Sequence, residues 1–570
     1  MSHPKTHQHR AVLVACILFA LATLAPKKTL AQTVQSKRGM VATVQPLATD
    51  AGIAAFEAGG NAIDAAVAAA LTLGVVDGHN SGLGGGCFVL IRSADGSVTA
   101  IDGREMAPAA ATRDMFIRDG VAVPELSTTG PLAIGVPGAL AAYDKAIMKH
   151  GKLKISDLLR RAADQADKGF AVDRVYARNL RQSQPNLLRF PGSRAMLLKQ
   201  DDTPYLEGEI LQLPELAKSY RAMAEQGTDW FYRGEFAATV GEWMKANGGL
   251  VTRDDFANYK TVKRDPIETD YRGYKIVGFP PPSSGGVHVG QILNILEHFE
   301  MEQLLASDSV TAQHVIAEAM KLAFADRAHW LGDADVAKVP RGLVSKEYAK
   351  QLASRIDLQR ASEVPSHGLP PNWESDVYGK HTTHIATADE AGNWVAITAT
   401  VNTSFGSKVV VPGTGVVLNN EMDDFSSQPG QPNAFGLVGA EANAVAPGKR
   451  PLSSMSPTIV LKDGKPVLTV GAAGGPKIIT QVLLAIVRYV DGKQNIADSI
   501  MQPRIHHQWR PARLFVERTM DASTIHALAA KGHGIEYLTS AGISQAITQL
   551  PNGTFIGIAD PRVPGKAAGY

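Results

Sequence analysis

The strongest constraint on the fold is a change of texture near Lys380. Upstream of it, helical patterns alternate with glycine-dense breaks. Downstream, short β-rich runs alternate with turn residues. Thr49 to Val76 places small apolar residues at helical spacing (Ala51, Ala54, Ala55, Ala58), then a Gly59-Gly60 break, then Asn61 as a cap before Ile63, Ala66, Val67 and Ala70. Ser81-Gly82-Leu83-Gly84-Gly85-Gly86 is too rich in glycine for a helix. No Lys-Ser or Lys-Thr follows it, so it predicts a tight, closely packed turn before a strand at Phe88 to Arg92, not a phosphate loop. Pro280 to Gly286 predicts an ordered loop opening a helix at Val287, and Ser307 to His329 predicts another helix. From about Val339 to Lys380 the pattern loosens around Pro365, Pro370 and Pro371, which predicts an exposed connector.

After Lys380, Thr383 to Ala388 and Trp394 to Val401 flank the turn residues Asp389, Gly392 and Asn393, a hairpin. Thr458 to Leu461 and Val467 to Val470 flank Lys462-Asp463-Gly464-Lys465, a second one. This hairpin runs through Gly474-Gly475-Pro476 into a helix over Lys477 to Val490, with Ile478, Val482, Leu483, Ile486 and Val490 inward. A strand, Gly-Gly, helix junction leaves backbone N–H groups uncovered and suits an oxyanion.

Composition narrows the function classes. The 570 residues are 45% hydrophobic, enough for several cores, and Lys plus Arg (57) nearly balances Asp plus Glu (55). That balance argues against a nucleic-acid partner, which requires a basic face. Within the first 31 residues the charges are Lys5, Arg10, Lys27 and Lys28, with an apolar run from Ala11 to Ala25 and Thr29-Leu30-Ala31 before Gln32. This predicts a signal peptide over 1–31, export to a periplasmic or extracellular space, and no stable membrane anchor, since the run is shorter than the roughly 20 residues of a span. Loss of Cys16 with the leader leaves Cys87 alone, so no internal disulfide forms and Cys87 is expected to be a buried small side chain. The adjacent His506-His507 pair lacks a completing set of ligands and is expected to be structural; no metal and no cofactor is expected.

Several motifs occur in an order that resembles γ-glutamyltranspeptidases. They are Thr382-Thr383-His384, Asn402-Thr403-Ser404-Phe405-Gly406, Leu418-Asn419-Asn420-Glu421-Met422-Asp423-Asp424-Phe425, Pro451-Leu452-Ser453-Ser454-Met455-Ser456-Pro457-Thr458 and Gly474-Gly475. Upstream, Gly59 to Ala66, Ser81 to Gly86 and Arg104-Glu105-Met106-Ala107-Pro108 extend the resemblance, and Ala568-Gly569-Tyr570 closes it. The resemblance implies an α+β fold, the four-layer αββα sandwich of N-terminal-nucleophile hydrolases, built jointly by two subunits of one precursor. It implies scission between His381 and Thr382, giving a large subunit from Gln32 to His381 and a small one from Thr382 to Tyr570. Thr382 is then the nucleophile, and its freed α-amine the base.

The same resemblance implies the remaining roles. Thr400 hydrogen-bonds the nucleophile, Gly474 and Gly475 receive the oxyanion, Arg104 with Ser453 and Ser454 clamps the substrate α-carboxylate, and Asn402, Glu421 and Asp424 hold its α-ammonium. The implied donors are glutathione and other γ-glutamyl compounds, and the acceptors water, amino acids or peptides. Two features depart from the pattern: Phe435 stands where tyrosine is common in the lid loop, and Pro476-Lys477 where serine and arginine are usual. One alternative is a relative with a different acyl group, a glutaryl-cephalosporin acylase or a poly-γ-glutamate ligase. Another, of a different class, is a non-catalytic exported amino-acid-binding protein. A glutaryl chain lacks the α-amine, which would leave Glu421 and Asp424 unpaired, so their retention favours glutamyl.

Overall fold

A computed structural model describes residues 33–371 and 385–570. The leader, with Cys16 and the expected cleavage after Ala31, and the segment holding His381, Thr382, Thr383 and His384 lie outside the described residues.

Two antiparallel seven-stranded sheets form the centre. The first runs, edge to edge, Lys566–Gly569, Gly39–Thr43, Ala386–Asp389, Trp394–Thr400, Gly86–Arg92, Val98–Gly103 and Val262–Arg264. The second runs Val34–Ser36, Phe555–Ala559, Ile543–Gln549, Lys465–Ala473, Thr458–Lys462, Tyr274–Gly278 and Ile267–Tyr271. Both sheets therefore mix strands from either side of residues 372–384. In the first, the hairpin Ala386–Asp389/Trp394–Thr400 is wedged between Gly39–Thr43 and Gly86–Arg92.

Strand periodicity builds the layers. On Trp394–Thr400, Trp394 and Ala396 point between the sheets, where they join Met40, Phe88, Leu90, Ile459, Ile547 and Phe555. Val395 and Ile397 point the other way, into a helical layer that includes Pro46–Glu57, Ala62–Val76 and Ala139–His150. Val460, Leu468, Val470 and Ala546 of the second sheet face Gly285–Leu296, Ser309–Trp330 and Lys477–Val490. The order is thus helix, sheet, sheet, helix, the expected α+β sandwich.

Local signals act as anticipated where they are strong. The Asn61 side chain accepts from Ile63 N (2.9 Å) and Asp64 N (3.2 Å), while Asp64 returns a bond to Asn61 N (2.8 Å); such a capping box contributes about 1 kcal/mol. The glycine run packs as a close turn: a Cβ on Gly85 would lie 1.8 Å from Thr400 O, and one on Gly84 2.1 Å from Val417 O. Cys87 is fully buried and its thiol is pushed up by burial, which removes it as a nucleophile.

The connector differs from expectation. Residues 341–353 form a 3₁₀ turn, Arg341–Val344, and a helix, Lys346–Ala353, capped by Ser345. Leu343, Tyr348, Ala349 and Leu352 make a short apolar face that is buried in the second helical core, and this burial outweighs the polar composition around it. Beyond it, Gly368 N donates to Asp326 Oδ1 (2.7 Å), Trp330 Nε1 to Gly368 O (3.1 Å) and Trp509 Nε1 to Val364 O (2.7 Å), so the chain is tied down almost to residue 371.

Candidate active site

Two element ends face one another across the sandwich. One is the C-terminal end of Trp394–Thr400; the other is the junction between Lys465–Ala473 and Lys477–Val490. Between them lies a cleft of about 380 Å³ lined by eight of the ten expected residues: Thr400, Asn402, Glu421, Asp424, Ser453, Ser454, Gly474 and Gly475. Arg104 lies behind this wall, fully buried, and Thr382 falls outside the described residues.

The chain reverses sharply after the strand. Asn402 takes φ +77°, its N–H donates to Thr400 Oγ1 (2.7 Å) and its Nδ2 to Asn420 O (3.0 Å). Asparagine tolerates this left-handed backbone better than most residues. The bond to Asn420 joins the turn to the short 3₁₀ segment Glu421–Asp424, which carries the acidic side chains.

Arg104 follows the strand Val98–Gly103. Its guanidinium donates to Glu421 Oε1, to Asp424 Oδ2 (2.6 Å), to Glu105 Oε2 (3.5 Å) and to Pro451 O (3.1 Å). Burial works against its charge, but Glu421, Glu105 and Asp424 outweigh burial and hold it above its usual value. The carboxylates are shifted too. Burial drives Glu421 well above the usual range, raises Asp424 and pushes Glu105 up to about 7, with the arginine opposing each. Three acids thus converge on one guanidinium, and burial works against the charged form of each. Arg104 itself is directed at the acids and at a carbonyl, not at Ser453 or Ser454.

The serines belong to a separate network. Ser284 donates to Ser453 O through both N–H and Oγ (2.8 Å each). Arg327 donates from Nε to Ser284 Oγ and from Nη2 to Ser454 Oγ, both at 3.0 Å. Arg327 and Ser284 were not anticipated from the sequence. The available signal was a charged Asp326-Arg327 pair inside a helix, Ser309–Trp330, that is otherwise buried on nearly every side.

Gly474 and Gly475 have φ of +133° and +61°. Among the described residues, neither N–H donates a hydrogen bond, which leaves both open to an acceptor in the cleft.

A profile of the family described as gamma-glutamyltranspeptidase matches residues 48–570. The glutathione hydrolase proenzyme of Escherichia coli (strain K12) is 45% identical over 541 residues, covering 94% of this chain and 93% of that protein. The chain belongs to the gamma-glutamyltranspeptidase family. Among solved structures, the cephalosporin acylase from Bacillus halodurans superposes with a TM-score of 0.86 at 28% identity, covering 100% of this chain and 99% of that one. The gamma-glutamyltranspeptidase of Helicobacter pylori gives a TM-score of 0.55 at 38% identity over 58% of this chain and 95% of that one.

The departures from the transpeptidase pattern both lie at the cleft. The Phe435 ring rests against Gly475, where an added Cβ would come within 2.7 Å of Cδ1. Its loop is held by Asp423, which accepts from Ala434 N (3.0 Å) and Ser127 Oγ (2.7 Å), and by Gln508 Nε2, which donates to Gly436 O (3.1 Å). Lys477 lines the cleft beside Gly475, and burial lowers its pKa; among the described residues it has no ion-pair partner. His506 is bonded to Thr480 (3.0 Å) and Gln508 (2.9 Å), and neither it nor His507 is a member of the buried group His314, Glu318 and His533.

Proposed function

We propose that this chain is an exported γ-glutamyltransferase and glutathione hydrolase that matures by scission between His381 and Thr382. The observation that carries this reading is the convergence of Thr400, Asn402, Glu421, Asp424, Ser453, Ser454, Gly474 and Gly475 on one cleft, beside which the described chain resumes at Ile385. Support comes from family membership along nearly the whole chain and from the proenzyme name of its relatives.

In this reading the Thr382 hydroxyl first attacks the His381 carbonyl, and water hydrolyses the resulting ester, leaving the subunits Gln32 to His381 and Thr382 to Tyr570. The freed α-amine, with a reference pKa of about 7.7–8.0, then takes the proton of the hydroxyl as it attacks a γ-glutamyl amide. The amide nitrogen leaves protonated, and water or an amino acid or peptide amine accepts the acyl group from the ester. Thr400 orients the nucleophile. The oxyanion falls to the N–H groups of Gly474 and Gly475, each contact worth about 3–4 kcal/mol where such donors have been removed elsewhere. The α-ammonium is received by Asn402, Glu421 and Asp424, and the α-carboxylate by Ser453 and Ser454 with Arg104 behind them. Among the described residues no helix is long and apolar enough to cross a membrane.

The likeness to a cephalosporin acylase favours one second reading, a glutaryl donor. A buried acidic cluster with no ammonium to face would then carry a desolvation cost without return. Purified protein should give two bands on a denaturing gel, with the shorter beginning at Thr382, and release cysteinylglycine from glutathione. Thr382→Ala should give one band and no release; an uncleaved wild-type chain that turns over glutathione would refute the mechanism.

A further inference from the structure

We infer that Arg327 is a positioning residue of the donor site, setting the Ser454 hydroxyl as a hydrogen-bond donor to the substrate α-carboxylate. This rests on the γ-glutamyl reading above and adds a residue to it. A guanidinium carries five N–H donors and no acceptor, so both hydroxyl oxygens that Arg327 meets at 3.0 Å must accept. Their own hydrogens are thereby turned elsewhere. That of Ser284 goes to Ser453 O at 2.8 Å. That of Ser454 has no acceptor among the described residues, and Ser454 lines the cleft, so an incoming anion is its natural partner.

Charge points the same way. The Arg104 guanidinium is already engaged by Glu421, Asp424 and Glu105. Arg327 is 4% exposed and, among the described residues, has no carboxylate within ion-pair distance. Burial lowers it to about 10, with Asp424 countering part of this, so it stays a cation at neutral pH. An acidic flank and a cationic, hydroxyl-relayed flank meet at Asp424 and Ser454. A zwitterionic head group fits that polarity in one orientation only, ammonium toward Glu421 and Asp424, carboxylate toward Ser454.

The test compares γ-glutamyl-p-nitroanilide with 4-aminobutyryl-p-nitroanilide, the same donor without its α-carboxylate, on processed full-length enzyme. Arg327→Gln should lower the preference for the carboxylate donor by about 10- to 100-fold, mostly through KM, and Arg327→Lys should restore part of it. Ser454→Ala should lower the preference similarly, and adding Arg327→Lys to it should lower it no further. Equal losses on both donors would assign Arg327 a merely structural role and overturn the inference. A further drop in the double variant would overturn the relay through Ser454. If Arg327→Gln is not processed, the Arg327→Lys and Ser454→Ala pair decides the matter alone. A wild-type enzyme inactive on both anilides would instead refute the γ-glutamyl reading.

Discussion

Gly475→Ala separates geometry from chemistry at the turn proposed to receive the oxyanion. The backbone there has φ +61°, which costs an L-residue about 1–2 kcal/mol. The added Cβ would also sit 2.7 Å from Cδ1 and 3.0 Å from Cε1 of Phe435, so the ring must retreat by more than half an ångström, its ordinary contact being about 3.5–4.0 Å. Both effects move the N–H pair, and a displacement near 1 Å at a reacting centre costs about 100-fold. The assay is a double-mutant cycle on kcat for γ-glutamyl-p-nitroanilide, with Phe435→Ala as the second member and thermal denaturation measured alongside. Gly475→Ala should lose about 100-fold in kcat. Phe435→Ala relieves the clash but not the backbone strain, so the double variant should be more active than the product of the single losses, with coupling of about 1 kcal/mol or more. Losses that simply multiply would show that ring and turn do not bear on one another and refute the reasoning.

The acidic cluster gives a pH signature. Glu421 and Asp424 are raised chiefly by burial, and a protonated carboxyl does not hold an ammonium, so donor affinity is lost toward acid and gained toward alkali. The ratio of kcat/KM for γ-glutamyl to glutaryl anilide, in which the Thr382 amine cancels, should fall by up to about tenfold per pH unit on the acid side. Glu105→Gln should move that fall to lower pH, because the Glu105 charge is one cause of the Glu421 shift; a flat ratio would contradict the ammonium site. By the same sign, raised Glu105 favours the fold at acid pH, and that contribution is lost as pH rises through about 7. Lys477→Gln should raise KM severalfold for glutathione, whose leaving half carries a carboxylate, relative to the uncharged anilide; parallel changes on both would remove Lys477 from leaving-group recognition.

What the sequence made legible was local. Asp463 and Gly464 specify a turn through left-handed φ of +50° and +74°, and their hairpin forms with Lys462 opposite Lys465. Lys477–Val490 begins where proline and the preceding glycines say it should. The helix Lys346–Ala353 was hidden because eight residues carry too little periodic signal against neighbouring prolines, and only burial against Gly285–Leu296 makes it pay its ordering entropy. At the site, ordered motifs named the residues but not their partners. Arg104 meets Glu421 across 317 residues of chain, and Arg327 meets Ser454 across 127, pairings that only closure of the sandwich creates. A buried guanidinium goes to whichever acceptors the fold brings within reach. Arg104 therefore meets Glu421, Asp424 and Glu105, while Arg327, from a helix whose sequence reads as core, meets Ser454. The polarity of the cleft is a property of tertiary assembly, and for that reason it is the part most exposed to test by substrates that lack one charge or the other.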